Sequence, residues 1–372
     1  MYKTLQKNIS SLAEPTNIKN KTYDELLEEN IALAKTILST SEIEWIPIDS
    51  DPYMKKIRVL TLRQLHNQSA FNLGIKASLR TIATGVDLDH LGVGDNVFRD
   101  KGEYPYTTFT FTLSNVEKID KIIPKGFLLN DDTDTYKAST LTQAVIPAGE
   151  LSTTVQAELQ EYVVQSEAKT ENLIVDLTFA VDIKQNGLFE NGATAEDDDR
   201  YRLRIISANS SYTTAGSEEA YKYFAYSADS RIDDISIPND NEPLEVNIYI
   251  ASFENEVDTE MIQKVYDACN YKYTRPLGDA LTIMNAEVLT VDIVGTIQLL
   301  DLMKQSSIDA KIKTNLRDPF FIGQDFVASD FMSRCHIDGV YKVAIDFEEI
   351  KATNKQIIKI GNIDLNYIQV VF

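Results

Sequence analysis

The sequence predicts an α+β protein of several domains: an N-terminal helical part, a small all-β module, then two α+β modules. Its 372 residues suffice for two or three domains of about 100–200 residues each. Apolar residues recur at helical spacing early in the chain, alternate from Tyr104, and later form strand-like and helix-like runs in turn. We expect domains at 1–102, 103–186, 187–286 and 287–372.

Composition and charge argue against several classes of protein. The chain has 57 acidic and 36 basic residues, a net charge of −21, which repels phosphate backbones, so we expect no nucleic-acid partner. No run approaches the ~18 apolar residues of a membrane span, and the N-terminus lacks the apolar core of a signal peptide. We therefore expect no membrane partner, and we expect Cys269 and Cys335 to be buried free thiols made in a reducing cytoplasm.

The N-terminal helical part carries clear start signals. Residues 22–25, Thr-Tyr-Asp-Glu, form a capping box before the first helix. Ser50-Asp51-Pro52 then starts a pattern of about thirty residues that ends at Gly85. Because its apolar stripe includes Gln64 and Gln68, we expect this long helix to contact another element or another subunit.

The β-module is predicted from alternation beginning with Thr107, Phe109 and Phe111. Matching Ile-Pro-x-Gly turns at 123–126 and 146–149 flank short strands. We expect a compact barrel or sandwich.

The two later modules each combine strands with helices. The first should hold strands at 246–250 and 281–284 around a helix capped by Asp258. The second should hold a long strand from Leu289 and helices capped by Ser307 and Ser329. Its chain should end in a strand at 340–345 and a hairpin of 357–360 with 363–371.

The stretch Gly192–Ile237 reads as two helices and a strand, with Thr194 capping the first helix and Ser217 the second. Glu196 to Asp199 would fill the first turn, where the helix dipole favours negative charge. Arg200, Arg202 and Arg204 follow these acids, and we expect them to form salt bridges across helices or subunits.

No pattern points to a reactive site. The acids at 196–199 lack calcium-loop spacing, and those at 131–134 have closer spacing but lack the downstream glycine and glutamate, so we interpret them as helix-terminal charge and a solvated turn. His66, His90 and His336 form no zinc motif. We predict no catalytic, cofactor-binding or metal residues and no enzyme. Five tyrosines are either interface anchors or ordinary core and surface residues: Tyr221, Tyr223, Tyr226, Tyr271 and Tyr273.

The central stretch resembles the baseplate J family, the wedge proteins of contractile phage tails and related injection particles. The motif elements are Glu196, Asp198-Asp199, Arg202-x-Arg204, Ala215-Gly216-Ser217 and Ala220-Tyr221. Other segments resemble the family in the same order: Ser50-Asp51-Pro52, Asp87-Leu88-Asp89, residues 146–149 and Arg275-Pro276-Leu277. Two segments depart from the family pattern, Leu62-Arg63-Gln64 and Asn241-Glu242-Pro243.

The resemblance implies a structural role. It implies a wedge subunit that pairs with a second copy of itself and with a second wedge protein. Such wedges join into a six-fold ring around the tail hub, near the sheath, and the ring rearranges on contraction. The implied location is the tail baseplate of a virion made in the host bacterial cytoplasm.

An alternative remains open. The acidic, tyrosine-rich β-module at 103–186 would also suit a tail component that binds or cleaves host surface glycans. A glycan-array or hydrolysis assay on the module would discriminate between the two hypotheses.

Overall fold

The structure is a computed structural model of the chain. It describes residues 8–9, 11–40, 42, 44–174, 177–212, 217–240, 244–271, 275, 278–345 and 349–370. Two compact units make up the chain: Met1–Arg99 with Asp197–Ile206, here the helical unit, and Asp100–Glu196 with Ser207–Phe372, here the main unit. The expected segments at 215–216, 241–243 and 276–277 lie outside the described residues.

The helical unit contains helices α1 (Tyr23–Leu38), α2 (Pro52–Ala77), α3 (Gly85–Gly94) and most of α4 (Asp198–Ser207). The predicted capping box is confirmed, since Thr22 and Glu25 exchange side-chain and backbone hydrogen bonds. Asp51 caps α2. The long helix is shorter than predicted, with 26 residues, because turns follow Ser78.

The first part of the main unit is the β-module. Its strands are β1 (Tyr106–Leu113), β2 (Lys121–Ile123), β3 (Leu128–Asn130), β4 (Lys137–Thr140), β5 (Ala144–Ile146), β6 (Ser152–Leu159), β7 (Asn172–Leu173) and β8 (Val181–Gln185). Six form a sheet in the order β7-β3-β4-β6-β1-β8, and β2 pairs with β5. Phe109, Phe111 and Phe189 are fully buried in its core.

The central part contains a 3₁₀ turn (Ala208–Tyr212), α5 (Glu218–Ala228), β9 (Asp234–Ser236), β10 (Glu245–Ala251), α6 (Thr259–Cys269) and β11 (Ala280–Asn285). The sheet order is β11-β10-β9. β10 and β11 are parallel, as a crossover through α6 requires. The predicted caps are confirmed: Ser217 accepts from the amide of Ala220, and Asp258 from that of Met261.

The C-terminal part contains β12 (Glu287–Leu299), a 3₁₀ turn (Leu302–Lys304), α7 (Gln305–Leu316), α8 (Ala328–Cys335), β13 (Val340–Ile345) and β14 (Gln356–Gln369). The sheet order is β13-β12-β14. Helices α7 and α8 pack on one face over a core that includes Ile293, Ile312 and Phe331. Both cysteines are free and buried, as predicted.

The predicted C-terminal hairpin is wrong. β14 is a single strand of 14 residues that runs parallel to β12. At Gly361-Asn362 the chain forms a β-bulge, because the register passes from Val291–Ile360 to Ile293–Ile363. Asp292 holds this bulge, since its carboxylate accepts the Asn362 amide at 2.7 Å.

Three predicted caps are also wrong. Thr194 lies before α4, where Asp197 instead accepts the Arg200 amide at 2.7 Å. Ser307 lies inside α7, where its hydroxyl donates to the Lys304 carbonyl at 3.1 Å. Ser329 lies inside α8, which follows Val327 without a side-chain cap. Each of these side chains lies one or more residues away from the position where the backbone becomes helical.

Candidate interaction surfaces

The interior of the α1–α2 hairpin combines the buried apolar side chains of Leu26 and Met54 with polar contacts. Asn30 donates to the Thr61 hydroxyl at 2.9 Å and to the Gln64 side-chain oxygen at 3.0 Å. Gln68 donates to the Lys21 carbonyl at 3.0 Å. The early end of α1 therefore lies beside the late part of α2, so the helices are antiparallel. Gln64 therefore contacts α1, and Gln68 contacts Lys21 just before it.

One side of this hairpin carries a large exposed apolar surface. Tyr53, Leu60 and Phe71 recur at seven and eleven residues and therefore share the flank of α2 that carries Gln64. Leu33 and Ile37 share the flank of α1 that carries Asn30, the partner of Gln64. These five side chains form the surface that we call the hairpin patch, with exposed fractions as follows: Leu33 60%, Ile37 70%, Tyr53 54%, Leu60 64% and Phe71 58%.

The charge on α2 differs from that on the rest of the chain. Five basic residues and no acidic residue lie within Pro52–Ala77: Lys55, Lys56, Arg58, Arg63 and Lys76. The whole chain has a net charge of −21. The α2 side of the hairpin patch thus lies on a basic helix that an acidic surface, including that of a second copy, would attract.

A second apolar surface lies at the β2–β5 ribbon of the β-module. Ile122 and Val145 are register partners and are exposed. Val116, Ile119 and Leu151 lie in the adjoining loops and are also exposed. Contiguous apolar surface of this kind marks interaction sites more often than isolated apolar residues do.

The motif arginines are structural within the helical unit. Arg202 bonds Asp199 at 2.5 Å and donates to the Ala83 carbonyl at 2.8 Å. Arg204 donates to the Phe98 carbonyl at 2.6 Å. Both side chains are buried. Their contacts join α4 to the segments that flank α3, so they fix the fold of this unit.

A second acid, Asp198, anchors the same unit. It accepts from Arg99 at 2.6 Å and from the Gly85 amide at 3.0 Å. Burial would raise the pKa of Asp198, but these hydrogen bonds and the charge of Arg99 hold it below its ordinary value. Glu196, also expected in the first turn of α4, instead accepts the Asp100 amide at 3.0 Å within the main unit.

The main unit contains a buried ion network that the sequence did not predict. Arg231 pairs with Asp229 at 2.6 Å and with Asp258 at 3.2 Å. Lys264 bridges Asp229 at 3.2 Å and Glu103 at 2.7 Å. Asp229 and Arg231 are two residues apart, but Asp258, Lys264 and Glu103 come from other segments, so no local spacing in the sequence could have identified the whole network.

The structure places the other acidic and tyrosine residues singled out from the sequence as follows. Asp131 accepts the amides of Thr135 and Tyr136 at 2.7 and 2.9 Å, which closes an exposed turn. Across the part of the chain that the structure describes, no three His, Cys, Asp or Glu side chains are placed to hold a metal ion. Tyr221 and Tyr226 are buried core residues, and Tyr271 is exposed. Tyr273 lies outside the described residues.

Among the described residues, none of the helices has both the length and the apolar character needed to cross a bilayer.

Comparison with known proteins gives one sequence relative. No protein-family model matches the chain. Baseplate protein J of Escherichia phage P2 is 31% identical over 159 residues, which cover 41% of this chain and 52% of the relative. The match thus extends over about half the length of the phage protein.

A solved structure is also similar. It is a chain of the anti-feeding prophage (AFP) baseplate, 6-fold symmetrised, with 10% identity and a TM-score of 0.45, covering 97% of both chains.

Proposed function

We propose that this chain is a structural, non-enzymatic subunit of the baseplate of a contractile tail or a related injection particle. The proposal is supported by the 159-residue match to Baseplate protein J of phage P2. The proposed location is the tail baseplate of a virion, after synthesis in the host bacterial cytoplasm.

Within the baseplate, the proposed role is that of a wedge subunit. It pairs with a second copy of itself and with a second wedge protein, and the wedges close into a six-fold ring around the tail hub, next to sheath-proximal proteins. The ring rearranges when the sheath contracts. Obligate interfaces of this kind bury about 2,000–5,000 Å².

The hairpin patch carries the proposal. It gathers five large apolar side chains, each more than half exposed. Three of them lie on α2, which has five basic and no acidic residues, and two lie on α1. An isolated soluble chain gains nothing from exposing such a surface, whereas a neighbouring helix could bury it. Charge would then favour an acidic neighbour over another basic helix.

The test is a substitution in the hairpin patch with a control of similar exposure outside both apolar surfaces. Leu60→Glu changes a residue that is 64% exposed, and Val86→Glu changes one that is 69% exposed at the start of α3. Each protein is co-expressed with the baseplate proteins of neighbouring reading frames, and complexes are measured by sedimentation velocity. Loss of a buried leucine contact of about 1.5–3 kcal/mol predicts at least tenfold weaker assembly for Leu60→Glu.

Val86→Glu should assemble as the wild type does. Equal loss in both variants, or normal assembly of Leu60→Glu, would reject the hairpin patch as the contact. A wild-type chain that joins none of these proteins would reject the wedge role itself.

A further inference from the structure

The outer edge of β14 is a row of backbone groups that no other described segment pairs. In the sheet order β13-β12-β14, β14 lies at one end. Beyond the bulge at 361–362, residues 363–369 continue as an uninterrupted pairing with β12. At about 3.3 Å per residue this segment is about 23 Å long, and we call it the free edge.

The direction of the amides along the free edge follows from two observed bonds. The Val370 amide donates to the Leu299 carbonyl at 3.0 Å, and the Asn362 amide donates to Asp292 at 2.7 Å. The backbone amides and carbonyls of the even-numbered residues therefore point towards β12. Since direction alternates along a strand, the amides and carbonyls of Ile363, Leu365, Tyr367 and Gln369 point outwards.

The free edge lacks the usual protection of an edge strand. Natural sheets cover such edges or place lysine, proline or a bulge along them. Residues 363–369 contain neither lysine nor proline, and Asp364 is their only charged residue. The bulge lies before the free edge and leaves these seven residues straight.

We propose that the free edge pairs with that of a second copy, antiparallel and centred on Asn366, so that two three-stranded sheets join into one of six strands. In this register Leu365 faces Tyr367 of the second copy and Ile363 faces its Gln369. Those four residues are the ones that point outwards, so each pair exchanges two backbone hydrogen bonds. The inference rests on the proposed function, since it names a contact, separate from the hairpin patch, through which two copies pair.

Side-chain chemistry favours this register. The two Asn366 side chains meet on the two-fold axis, where amides can hydrogen-bond each other. Asp364 faces Ile368, which is 40% exposed, so no acids face each other. Centring the pair on Asp364 would instead place two like charges opposite each other, which is unfavourable. A register centred on Asn366 also uses the whole free edge of both copies.

Cysteine cross-linking tests the proposal directly. Residues opposite each other on the axis have Cα atoms about 4.5 Å apart in this type of pair, within disulfide range. Asn366→Cys in the full chain should therefore form a disulfide-linked dimer under mild oxidation. Ala344→Cys, exposed on β13 at the other end of the same sheet, is the matched control and should stay monomeric on a non-reducing gel. Native Cys269 and Cys335 are both fully buried.

A charge variant gives a second measurement. Asn366→Asp places two acids on the axis and should raise the dimer dissociation constant at least about fivefold, whereas Ala344→Asp should leave it unchanged. Both are measured in a Leu60→Glu background, so that failure of this contact is distinguishable from failure of the hairpin patch. The proposal is overturned if Ala344→Cys cross-links as well as Asn366→Cys, or if the Leu60→Glu chain stays monomeric at every concentration measured by sedimentation velocity. It is also overturned if Asn366→Asp weakens binding to another baseplate protein while Asn366→Cys forms no homodimer.

Discussion

A β-carbon at Gly92 would lie 2.0 Å from the hydroxyl oxygen of Tyr201 and 2.8 Å from the Val97 carbonyl oxygen. α3 and α4 therefore approach each other at this point only because residue 92 has no side chain. This close approach lets the Tyr201 hydroxyl donate to the Val97 carbonyl at 2.8 Å.

Gly92→Ala should destabilise the helical unit by about 1–3 kcal/mol, because overpacking forces side chains and backbone to shift. Urea unfolding followed by the fluorescence of Trp45, the only tryptophan, would measure the change. Gly94→Ala is the control, since nothing lies within 4 Å of its β-carbon. It should be neutral or stabilise by up to about 1 kcal/mol. Equal effects of the two variants would contradict the close approach at Gly92.

Arg231→Met should be far more damaging than loss of a surface ion pair. It leaves Asp229, whose side chain is fully buried, without its main partner, at a cost of about 3–5 kcal/mol. Arg58→Met removes an exposed pair with Asp49 and should cost about 0–1 kcal/mol. Chemical unfolding followed by circular dichroism compares them, and similar losses would show that the buried network contributes little.

The buried ion pair between Asp229 and Arg231 predicts that the stability of the fold depends on pH. Burial would raise the pKa of Asp229, but the hydrogen bonds and charge of Arg231, with Lys264, hold it below its ordinary value. A lowered pKa in the folded state adds stability that is present above the unfolded value of about 4 and is lost as pH falls through the folded value. Unfolding free energies measured from pH 6 to pH 2 should therefore fall less steeply in Arg231→Met than in the wild type.

Local chemistry explains which parts of the fold could be predicted. Thr22, Asp51, Ser217 and Asp258 cap helices as expected because a cap depends on the next three amides. Ser307 carries the same hydroxyl, but α7 begins earlier, at Gln305. A cap residue inside a helical pattern does not by itself fix the helix start.

Longer-range contacts explain the remaining differences. Gly361-Asn362 has the sequence of a hairpin turn, yet Asp292 on the neighbouring strand holds it as a bulge. Gln64 in the long helix correctly indicated a contact with another element, and Asn30 is its partner. The exposure of Leu60 was not predictable, since a helical stripe does not reveal which of its flanks another helix covers.

Both cysteines should be unreactive in the folded chain. Burial raises the pKa of Cys269 and of Cys335 to about 12, so almost no thiolate exists at neutral pH. Ellman's reagent at pH 8 should modify neither thiol in the native protein and both in 6 M guanidinium chloride, a common denaturing concentration. Rapid reaction of either thiol before unfolding would contradict its burial.

Asp51 makes two hydrogen bonds at the start of α2, and two substitutions at this position separate their effects. Its carboxylate accepts the Tyr53 amide at 2.8 Å and the Trp45 indole N–H at 2.7 Å. Asp51→Ala should lower the stability of α2 by about 0.5–2 kcal/mol through loss of the cap, and should shift the Trp45 emission. Asp51→Ser restores a cap but is too short to reach the indole, so it should recover most of the stability and keep the shifted emission.

Hydrogen exchange of the first turns of α2 and tryptophan fluorescence measure the two effects separately. Asp49→Ala is the control, because Asp49 makes only an exposed ion pair in this region and should change neither quantity. If Asp51→Ser behaves like Asp51→Ala in hydrogen exchange, the stability at this helix start comes from the indole bond and not from the cap. The order of the three variants therefore shows which of the two hydrogen bonds holds the beginning of the basic helix.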